Sequence, residues 1–257
     1  MQMKKNKKIN NVLITGSARR IGRAIALDLA NNGWNIIVHY KKSKKDAIEL
    51  CEKIKKNGSK SFVIYGNLSK DQDVKNIIKR VKKEFGYITC LINNASEFDN
   101  DNINNMTKKS WERHMQVNFY APILLSQKFK QQLPSKVKGN IINIVDQKVT
   151  KLTPKFLSYT LSKSGLWTAT KILAMALAPN IRVNAIAPGP TIKSKRQSIL
   201  NFKKQSSATI LKRGGDPKEI GNAVKFILNS SSMTGQTIFL DGGQRLVWKT
   251  LDSIGKE

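Results

Sequence analysis

The sequence predicts a single α/β domain in which a seven-stranded parallel sheet is covered by helices on both faces. Two observations support this prediction. Short apolar runs alternate with amphipathic segments along the whole 257-residue chain, with no repeat and no break in composition. The apolar runs are also continuous rather than interrupted at every second residue, as expected of parallel strands that are buried on both faces.

The predicted strands are the apolar runs at residues 12–15, 36–40, 61–65, 90–93, 141–145, 181–187 and 237–240. Amphipathic segments between them predict helices, for example at residues 21–32 and 70–85. Several glycines follow such segments and are interpreted as helix ends, namely Gly33, Gly58, Gly86 and Gly139. Repeated β-α-β units with right-handed crossovers predict a doubly wound sheet of the Rossmann type.

Basic residues greatly outnumber acidic ones, since 46 lysines and arginines against 17 aspartates and glutamates give a formal net charge of +29. Such a charge raises the hypothesis of a nucleic acid or an anionic surface as partner. The lysines, however, are spread over the polar faces of the predicted helices, and the chain is also rich in Asn and Ile. A biased genome composition explains the charge as well as a polyanion does, so we expect no nucleic-acid partner.

The sequence pattern predicts neither membrane insertion nor secretion. It contains no run of about 18 apolar residues, and residues 1–10 are basic without the apolar segment of a secretory signal. We expect a disordered leader at residues 1–10, a domain at residues 11–249 and a short tail at residues 250–257. The two cysteines, Cys51 and Cys90, have no metal-ligand spacing, so we expect no metal site and a reduced cytoplasmic setting.

The first predicted strand is followed by the glycine turn 15-TGSARRIG-22, which opens a helix. Gly16 allows a sharp turn, and Gly22 allows the helix to pack closely on the sheet. The first N–H groups of that helix point at whatever lies above the strand end, which predicts an anion site suited to a pyrophosphate. A strand-turn-helix unit of this kind is also compatible with an ordinary tight connection.

The end of the second predicted strand distinguishes between two dinucleotides. An NAD site commonly has an acid there, which binds the ribose 2′-hydroxyl. This chain instead has the cations and donors His39, Lys41, Lys42 and Ser43, with Arg20 available from the first turn. That set suits a 2′-phosphate, so NADPH is favoured over NADH. The alternative is that the lysines are merely solvated, in a chain full of lysines.

Tyr159 and Lys163 lie in a segment that predicts a helix over residues 156–177. Because they are four residues apart, their side chains share one helix face. An ammonium near a phenol favours the phenolate and lowers the phenol pKa from about 10. Such a phenol can deliver a proton to a substrate while hydride arrives from a cofactor. The spacing alone is a common coincidence, and its value comes from following a dinucleotide-type first half.

Six motifs occur in a fixed order along residues 10–245: TGSARRIG, 93-NNAS-96, Asn118 in 115-MQVNFYAP-122, 159-YTLSK-163, 188-PGPT-191 and 234-TGQTIFLDGG-243. Taken together they resemble the short-chain dehydrogenase/reductase family. The resemblance implies a doubly wound fold, a nicotinamide cofactor, a small-molecule substrate and a homotetramer.

Some positions depart from the common family pattern. Arg20 replaces the usual glycine of the first turn, and Asp146 replaces the catalytic serine after the fifth strand. Both departures, with NNAS in place of NNAG, resemble the pteridine reductases and the related dihydromonapterin and dihydrofolate reductases. Phe98 falls where the trypanosomatid pteridine reductases carry an aromatic residue that stacks on the pterin. Asn67 stands where the family generally has an aspartate near adenine.

The resemblance implies a role for each matching residue. The implied catalytic residues are Asn118, Asp146, Tyr159 and Lys163. Tyr159 would donate the proton, Lys163 would tune Tyr159 and grip the nicotinamide ribose, and Asn118 would hold a water. Substrate contacts are implied for Arg20, Ser96, Phe98, Asp146 and Tyr159. Cofactor contacts are implied for Gly16, Ser17, Arg20, Ile21, Gly22, His39, Tyr40, Lys41, Lys42, Ser43, Asn67, Leu68, Asn94, Ala95, Ser96, Tyr159, Lys163, Pro188, Gly189 and Thr191.

Residues 192–213 are polar and basic and follow the PGPT turn, where the family places its substrate-covering segment. We expect a mobile lid there. Alternatives stay open at three other positions. Asp146 is also a natural cap of its strand-loop junction, Phe98 is compatible with ordinary loop packing, and Arg20 is compatible with a plain surface position.

An acid beside the phenol suits a pterin better than a ketone. A ketone needs a neutral donor at its oxygen, whereas a pterin takes hydride at a ring carbon and a proton at a ring nitrogen. The sequence therefore predicts an NADPH-dependent reductase of a dihydropterin, dihydromonapterin or dihydrofolate. The alternatives are a carbonyl reductase such as a 3-oxoacyl-thioester reductase, a nucleic-acid-binding protein, and a catalytically silent NADPH-binding regulator.

Overall fold

The computed structural model describes residues 10–194 and 197–247. Seven strands form one parallel sheet in the order β3-β2-β1-β4-β5-β6-β7. Their bounds are Asn11–Ile14 (β1), Asn35–Tyr40 (β2), Ser61–Tyr65 (β3), Cys90–Asn93 (β4), Gly139–Ile144 (β5), Ile181–Pro188 (β6) and Thr237–Leu240 (β7). The predicted seven-stranded doubly wound domain is confirmed, and every predicted strand overlaps an observed one.

The helices in the described part of the chain are Arg20–Asn31 (α1), Lys44–Lys56 (α2), Asp71–Phe85 (α3), Lys108–Met115 (α4), Ala121–Gln132 (α5), Leu157–Leu177 (α6), Ile199–Ser207 (α7) and Pro217–Asn229 (α8). A π-helical turn at Gln116–Tyr120 joins α4 to α5. The helices expected at residues 21–32, 70–85 and 156–177 correspond to α1, α3 and α6. Gly139 does not end a helix as predicted but is the first residue of β5, where Phe129 and Leu133 leave no room for a Cβ.

Both faces of the sheet are buried, because successive side chains along a strand point to opposite sides. In β1, Val12 and Ile14 face one core together with α1 and α8, whereas Leu13 faces the other together with α3 and α5. All three side chains are fully buried. This two-sided burial is why the strands read as continuous apolar runs in the sequence.

A crevice lies at the switch point of the sheet, between the carboxyl ends of β1 and β4. The chain places β2 and β3 on one side of β1, and β4 to β7 on the other. The loops after β1 and β4 therefore diverge. Thr15 holds these two loops together at their base, because its hydroxyl accepts hydrogen bonds from Asn94 N and Ala95 N, each at 2.9 Å.

Part of the predicted lid, residues 192–213, is helical rather than irregular. It contains α7, which Ser198 caps by accepting a hydrogen bond from Asn201 N at 3.1 Å. The predicted leader, apart from residue 10, and the predicted tail lie outside the described residues, as do residues 195–196 of the lid. Within residues 10–194 and 197–247, no helix is long and apolar enough to cross a membrane.

Candidate active site

A cleft of about 510 Å³ opens at the carboxyl ends of the central strands. It brings together most of the residues that the sequence predicted as functional. Those that line it are Gly16, Arg20, Ile21, Gly22, His39, Tyr40, Lys41, Lys42, Ser43, Leu68, Asn94, Ala95, Ser96, Phe98, Asp146, Tyr159, Lys163, Pro188, Gly189 and Thr191. Three predicted residues, Ser17, Asn67 and Asn118, lie outside its lining.

The turn after β1 forms a narrow cradle at one end of this cleft. Gly16 has a φ of +63°, a left-handed conformation that favours glycine. A Cβ on Gly22 would lie 2.6 Å from Asn94 Nδ2 and 2.7 Å from Gly16 O, so no larger residue fits. No side chain of the described residues caps the start of α1. The first N–H groups of α1 are thus available to an anion, and the cradle fits a dinucleotide pyrophosphate.

His39 does not serve as a cation for a phosphate, contrary to the prediction. Its ring is buried, Gly16 N donates to Nδ1 at 2.9 Å, and Nε2 lies 3.0 Å from Gly66 O. Nδ1 is therefore the acceptor and Nε2 carries the proton in the neutral ring. Burial lowers the pKa of His39 to about 4, although the hydrogen bond with Gly66 opposes this. His39 instead fixes the backbone of the glycine turn.

The side chains of Ser17 and Asn67 are also engaged outside the lining of the cleft, and their cofactor contacts stay predictions. Ser17 is fully buried, and its hydroxyl accepts a hydrogen bond from His39 N at 3.1 Å. The Asn67 side-chain oxygen accepts hydrogen bonds from the backbone and the hydroxyl of Ser69, at 3.1 and 2.7 Å. Both side chains stabilise the turns on which they sit.

Arg20, which stands where the common family pattern has a glycine, has a φ of +56°, a left-handed conformation that favours glycine. For a residue with a Cβ this conformation costs about 1 kcal/mol. The side chain is exposed, yet its guanidinium donates to Lys193 O at 2.7 Å and to Ile192 O at 2.8 Å. Arg20 is thus more than a surface arginine, because it ties the first turn to the beginning of the predicted lid.

The predicted 2′-phosphate end of the cleft is basic. Lys42 is exposed there and Ser43 is half-buried, at the end of β2. Lys41 forms an ion pair with Glu97 from the loop after β4, with Lys41 Nζ 3.2 Å from Glu97 Oε1. An anionic ligand at this end therefore meets one exposed ammonium and a second whose charge Glu97 partly compensates.

Tyr159 and Asp146 form a direct hydrogen-bonded pair at the other end of the cleft. The Tyr159 hydroxyl donates to Asp146 Oδ2 at 2.8 Å. Asp146 Oδ1 accepts a second hydrogen bond from the backbone N of Lys148 at 2.9 Å. Asp146 is therefore both a cap of its loop and a partner of the phenol, which were the two alternatives left open by the sequence.

Lys163 lies on the same face of α6 but does not bond the phenol. Its ammonium donates to Ile144 O at 2.7 Å. Burial lowers the pKa of Lys163 to about 8, while the charge of Asp146 opposes this. Burial, followed by the charge and hydrogen bond of Asp146, raises the pKa of Tyr159 well above 10. The predicted depression of the Tyr159 pKa is therefore wrong for this structure, because the carboxylate is the closer charge and stabilises the protonated phenol.

Asn118 lies in the π-helical turn between α4 and α5 and is fully buried. Its Oδ1 accepts from Ser96 Oγ at 3.1 Å and from Glu97 N at 2.8 Å. Its Nδ2 donates to Glu97 O at 2.9 Å and to Ser162 Oγ at 3.1 Å. The side chain is thus engaged with protein groups that join the loop after β4 to α6, and the water contact implied for Asn118 stays a prediction.

Phe98 forms an aromatic wall beside the pair of Tyr159 and Asp146. Its ring stacks on Phe156, with centroids 4.8 Å apart and planes 8° apart. It also meets the Tyr159 ring edge-on, at a centroid distance of 4.7 Å. Phe98 is 40% exposed, and part of its side chain lines the cleft.

Sequence reasoning missed several residues of the cleft. Lys148 lines it, with Nζ 3.7 Å from Asp146 Oδ1 and 5.8 and 5.4 Å from the ring centroids of Phe98 and Phe156. Its position two residues after Asp146 was the available signal. Phe202 and Gln205 reach the cleft from α7, and no motif marked them. Within residues 10–194 and 197–247, no group of His, Cys, Asp or Glu side chains could hold a metal ion.

The comparisons with known proteins agree on one family, but they find similarity to two different kinds of reductase. A family model described as enoyl-(acyl carrier protein) reductase, of the short-chain alcohol dehydrogenase type, matches residues 16–245. The 3-oxoacyl-[acyl-carrier-protein] reductase FabG of Staphylococcus epidermidis is 35% identical over 238 residues, 91% of this chain and 98% of that protein.

The solved structures give a different relative. FolM alternative dihydrofolate reductase 1 from Brucella canis, crystallised with NADP, is 42% identical with a TM-score of 0.91, covering 94% of this chain and 96% of that one. FolM from Brucella suis, also in complex with NADP, is 43% identical with the same TM-score, covering 94% and 97%.

Proposed function

The chain belongs to the short-chain dehydrogenase/reductase family, and from that premise we propose that it is an NADPH-dependent reductase of a dihydropterin or dihydrofolate-type substrate. The observation that carries the proposal is the hydrogen-bonded pair of Tyr159 and Asp146, in which a carboxylate stands where the common family pattern has a serine. The greater identity to the FolM structures than to FabG supports it.

The cradle at Gly16 and Gly22 supports the cofactor part of the proposal. It brings the chain close to the start of α1, whose first N–H groups no side chain caps, and such a helix start suits a pyrophosphate. Lys42 and Ser43 line the cleft at the end of β2, and an ammonium and a hydroxyl there suit the 2′-phosphate that distinguishes NADPH from NADH. The NADP found in the Brucella FolM crystals is consistent with this choice. When bound, NADPH supplies the hydride.

The protein's own groups supply the proton. Tyr159 is a neutral phenol near pH 7, because its pKa is raised, so it holds a proton to donate. Asp146 orients that hydroxyl and receives its hydrogen bond. Lys163, whose pKa is about 8, is mostly protonated near pH 7 and offsets the charge of the carboxylate. As negative charge develops at a ring nitrogen, the Tyr159 proton moves to that nitrogen. The phenolate that remains is stabilised by the Lys163 ammonium, whose Nζ lies 6.0 Å from the Tyr159 ring centroid, and not by the Asp146 carboxylate, which favours the protonated phenol.

Phe98 supports the choice of a flat substrate. Phe98 and Tyr159 line the same cleft, and their rings meet edge-on with centroids 4.7 Å apart, so a bicyclic ring that packs against the exposed part of Phe98 lies close to the proton donor. A stacked contact of this kind contributes roughly 1 kcal/mol beyond the area that it buries. An extended acyl chain would gain little from such a wall.

The second candidate is a 3-oxoacyl-thioester reductase, which the similarity to FabG favours. In both reactions Tyr159 gives up a proton, so the phenol does not separate them. Asp146 distinguishes the two reactions, because a carboxylate cannot donate a hydrogen bond to a developing alkoxide as a serine hydroxyl can.

The test is to measure NADPH and NADH oxidation by purified protein with dihydropterins, dihydrofolate and an acetoacetyl thioester. We expect oxidation of NADPH by a pterin-type substrate, abolished in Tyr159→Phe and strongly reduced in Asp146→Ser. Activity on the thioester without activity on any pterin contradicts the proposal. We also expect a homotetramer, as the family resemblance implies, and sedimentation of the purified protein tests this separately.

A further inference from the structure

The first turn of α6, which carries Tyr159, is capped by a loop far away in sequence. The first N–H groups of a helix have no partner within it. Here Asp101 accepts two of them: its backbone O accepts from Leu157 N at 3.1 Å, and its Oδ1 accepts from Ser158 N at 3.0 Å. The preceding N–H, that of Phe156, donates to Asn100 Oδ1 at 3.3 Å. Helix α6 thus begins against the loop that follows β4.

A buried chain of hydrogen bonds reinforces this cap. Asp99 N donates to His114 Nε2 at 3.1 Å, so the neutral ring carries its proton on Nδ1. Nδ1 lies 2.6 Å from Ser158 Oγ, and the Ser158 hydroxyl donates in turn to Asp101 Oδ2. His114 and Ser158 are fully buried and Asp101 is 3% exposed.

Asp101 is ionised within this network. Burial raises its pKa, but hydrogen bonds from the hydroxyl and backbone of Ser158 and from the hydroxyl of Ser110 lower it by more, so the net pKa lies below its usual value. A carboxylate at the beginning of a helix is also favoured by the helix dipole. The negative charge of Asp101 is therefore an integral part of the cap.

The same loop carries Phe98, three residues before Asp101. The loop thus presents the aromatic wall while it fixes the helix that presents the phenol. Phe156, at the start of α6, also contacts this loop, because it stacks on Phe98. Its backbone adopts a left-handed φ of +60°. A left-handed phenylalanine is strained and persists only where its surroundings hold it.

We propose that Asp101 is a positioning residue that sets the place of the Tyr159 hydroxyl relative to Phe98, and so the position of the proton donor beside the aromatic wall. The proposal rests on the proton-donating role proposed for Tyr159. Asp101 itself does not touch the reacting atoms and acts through Ser158 and the backbone of α6.

The test compares Asp101→Asn with the matched variant Asp216→Asn. The asparagine at position 101 keeps the shape of the side chain but replaces one acceptor oxygen by an NH2 group, so either the hydroxyl or the backbone N–H of Ser158 loses its acceptor. Asp216 caps α8 in a similar way, accepting from Lys218 N at 2.8 Å, but α8 carries no proposed catalytic group. For each variant, kcat and KM for the best substrate, the Kd for NADPH and the Tm are measured.

We expect Asp101→Asn to lower kcat by about tenfold or more, because a small misplacement of a reacting group is costly. The Kd for NADPH should stay within about twofold of wild type, since the glycine turn follows β1 and Asp101 contacts α6 rather than that turn. Asp216→Asn should retain its kcat and lose little Tm, because Asp216 is exposed and asparagine caps a helix about as well as aspartate. A kcat for Asp101→Asn within about twofold of wild type overturns the proposal, as does a parallel loss of kcat in Asp216→Asn.

Two further results keep the test decisive. If Asp101→Asn does not fold, Ser158→Ala replaces it, because this variant deletes only the hydroxyl link between His114 and Asp101. A kcat for Ser158→Ala about fivefold or more below wild type with unchanged Kd supports the proposal, and an unchanged kcat overturns it. If the wild type reduces the thioester and no pterin, the proposed function is wrong, and the Asp101 comparison is then read on the thioester.

Discussion

Replacing His39 by Gln is expected to remove a distinct part of the pH dependence of stability. Burial lowers the pKa of His39 to about 4, against an ordinary value of 6.5. The unfolded chain therefore binds the proton near pH 6.5 and the folded protein only near pH 4. The stabilisation is complete above pH 6.5 and is lost progressively as the pH falls toward 4. The difference between the two pKa values corresponds to about 3 kcal/mol of unfolding free energy.

Urea unfolding of the wild type and of His39→Gln between about pH 8 and about pH 4.5 measures this effect. Carboxylates titrate alike in both proteins, so the difference between the two curves isolates the ring. Between pH 8 and pH 5 we expect the wild type to lose about 2 kcal/mol more than the variant. Equal losses in the two proteins would refute the conclusion that the ring is held neutral in the core.

His114→Gln is the control, because the chain has 2 histidines and burial lowers the pKa of His114 as well. Comparing the two variants shows how much of the pH dependence of the unfolding free energy each histidine ring accounts for. NADPH binding is a second readout for His39. Because Gly16 N donates to the His39 ring, the Kd for NADPH should rise in His39→Gln and stay near the wild-type value in His114→Gln.

Three further predictions follow from the cleft. Asp146→Ser should lower kcat for a pterin substrate by about 10²-fold and leave the Kd for NADPH unchanged. Steady-state kinetics measures the first effect and a binding titration the second. An unaltered kcat contradicts the role proposed for Asp146. In urea unfolding, Arg20→Gly should be more stable than Arg20→Ala by about 1 kcal/mol. Both variants lose the guanidinium, but only alanine keeps the strain of the left-handed backbone. Equal stabilities of the two variants would show that no strain is stored at position 20. Phe98→Leu should raise KM for a pterin with little change in KM for NADPH, and a rise in both would indicate a general loss of structure rather than a lost stacking surface.

The parts of the fold that follow from local pattern could be predicted from the sequence. Continuous apolar runs indicated strands buried on both faces, and the observed sheet places Val12 and Leu13 in opposite cores. The glycine turn and the spacing of Tyr159 and Lys163 were equally readable, because a turn and one helix face are set by neighbours in the chain.

The direction of the side chains at the strand ends was harder to predict from the sequence. His39 was assigned to a phosphate because it precedes two lysines. It shares its side of β2 with the buried Ile37, however, and the alternation of side chains along a strand buries it. Asn118 was assigned to a water from the family resemblance alone, and its partners Ser96 and Ser162 come from two other elements.

The sequence by itself determined the order of strands and helices, the glycine cradle and the presence of an acid, a phenol and an amine near one strand end. Only the tertiary structure decided that the phenol donates to Asp146 and has a raised pKa, since charge and burial depend on distances through space. Only the tertiary structure also joined Asp101 to Ser158, 57 residues apart. Contacts of such separation form when packed elements meet, and no local pattern in the chain encodes them.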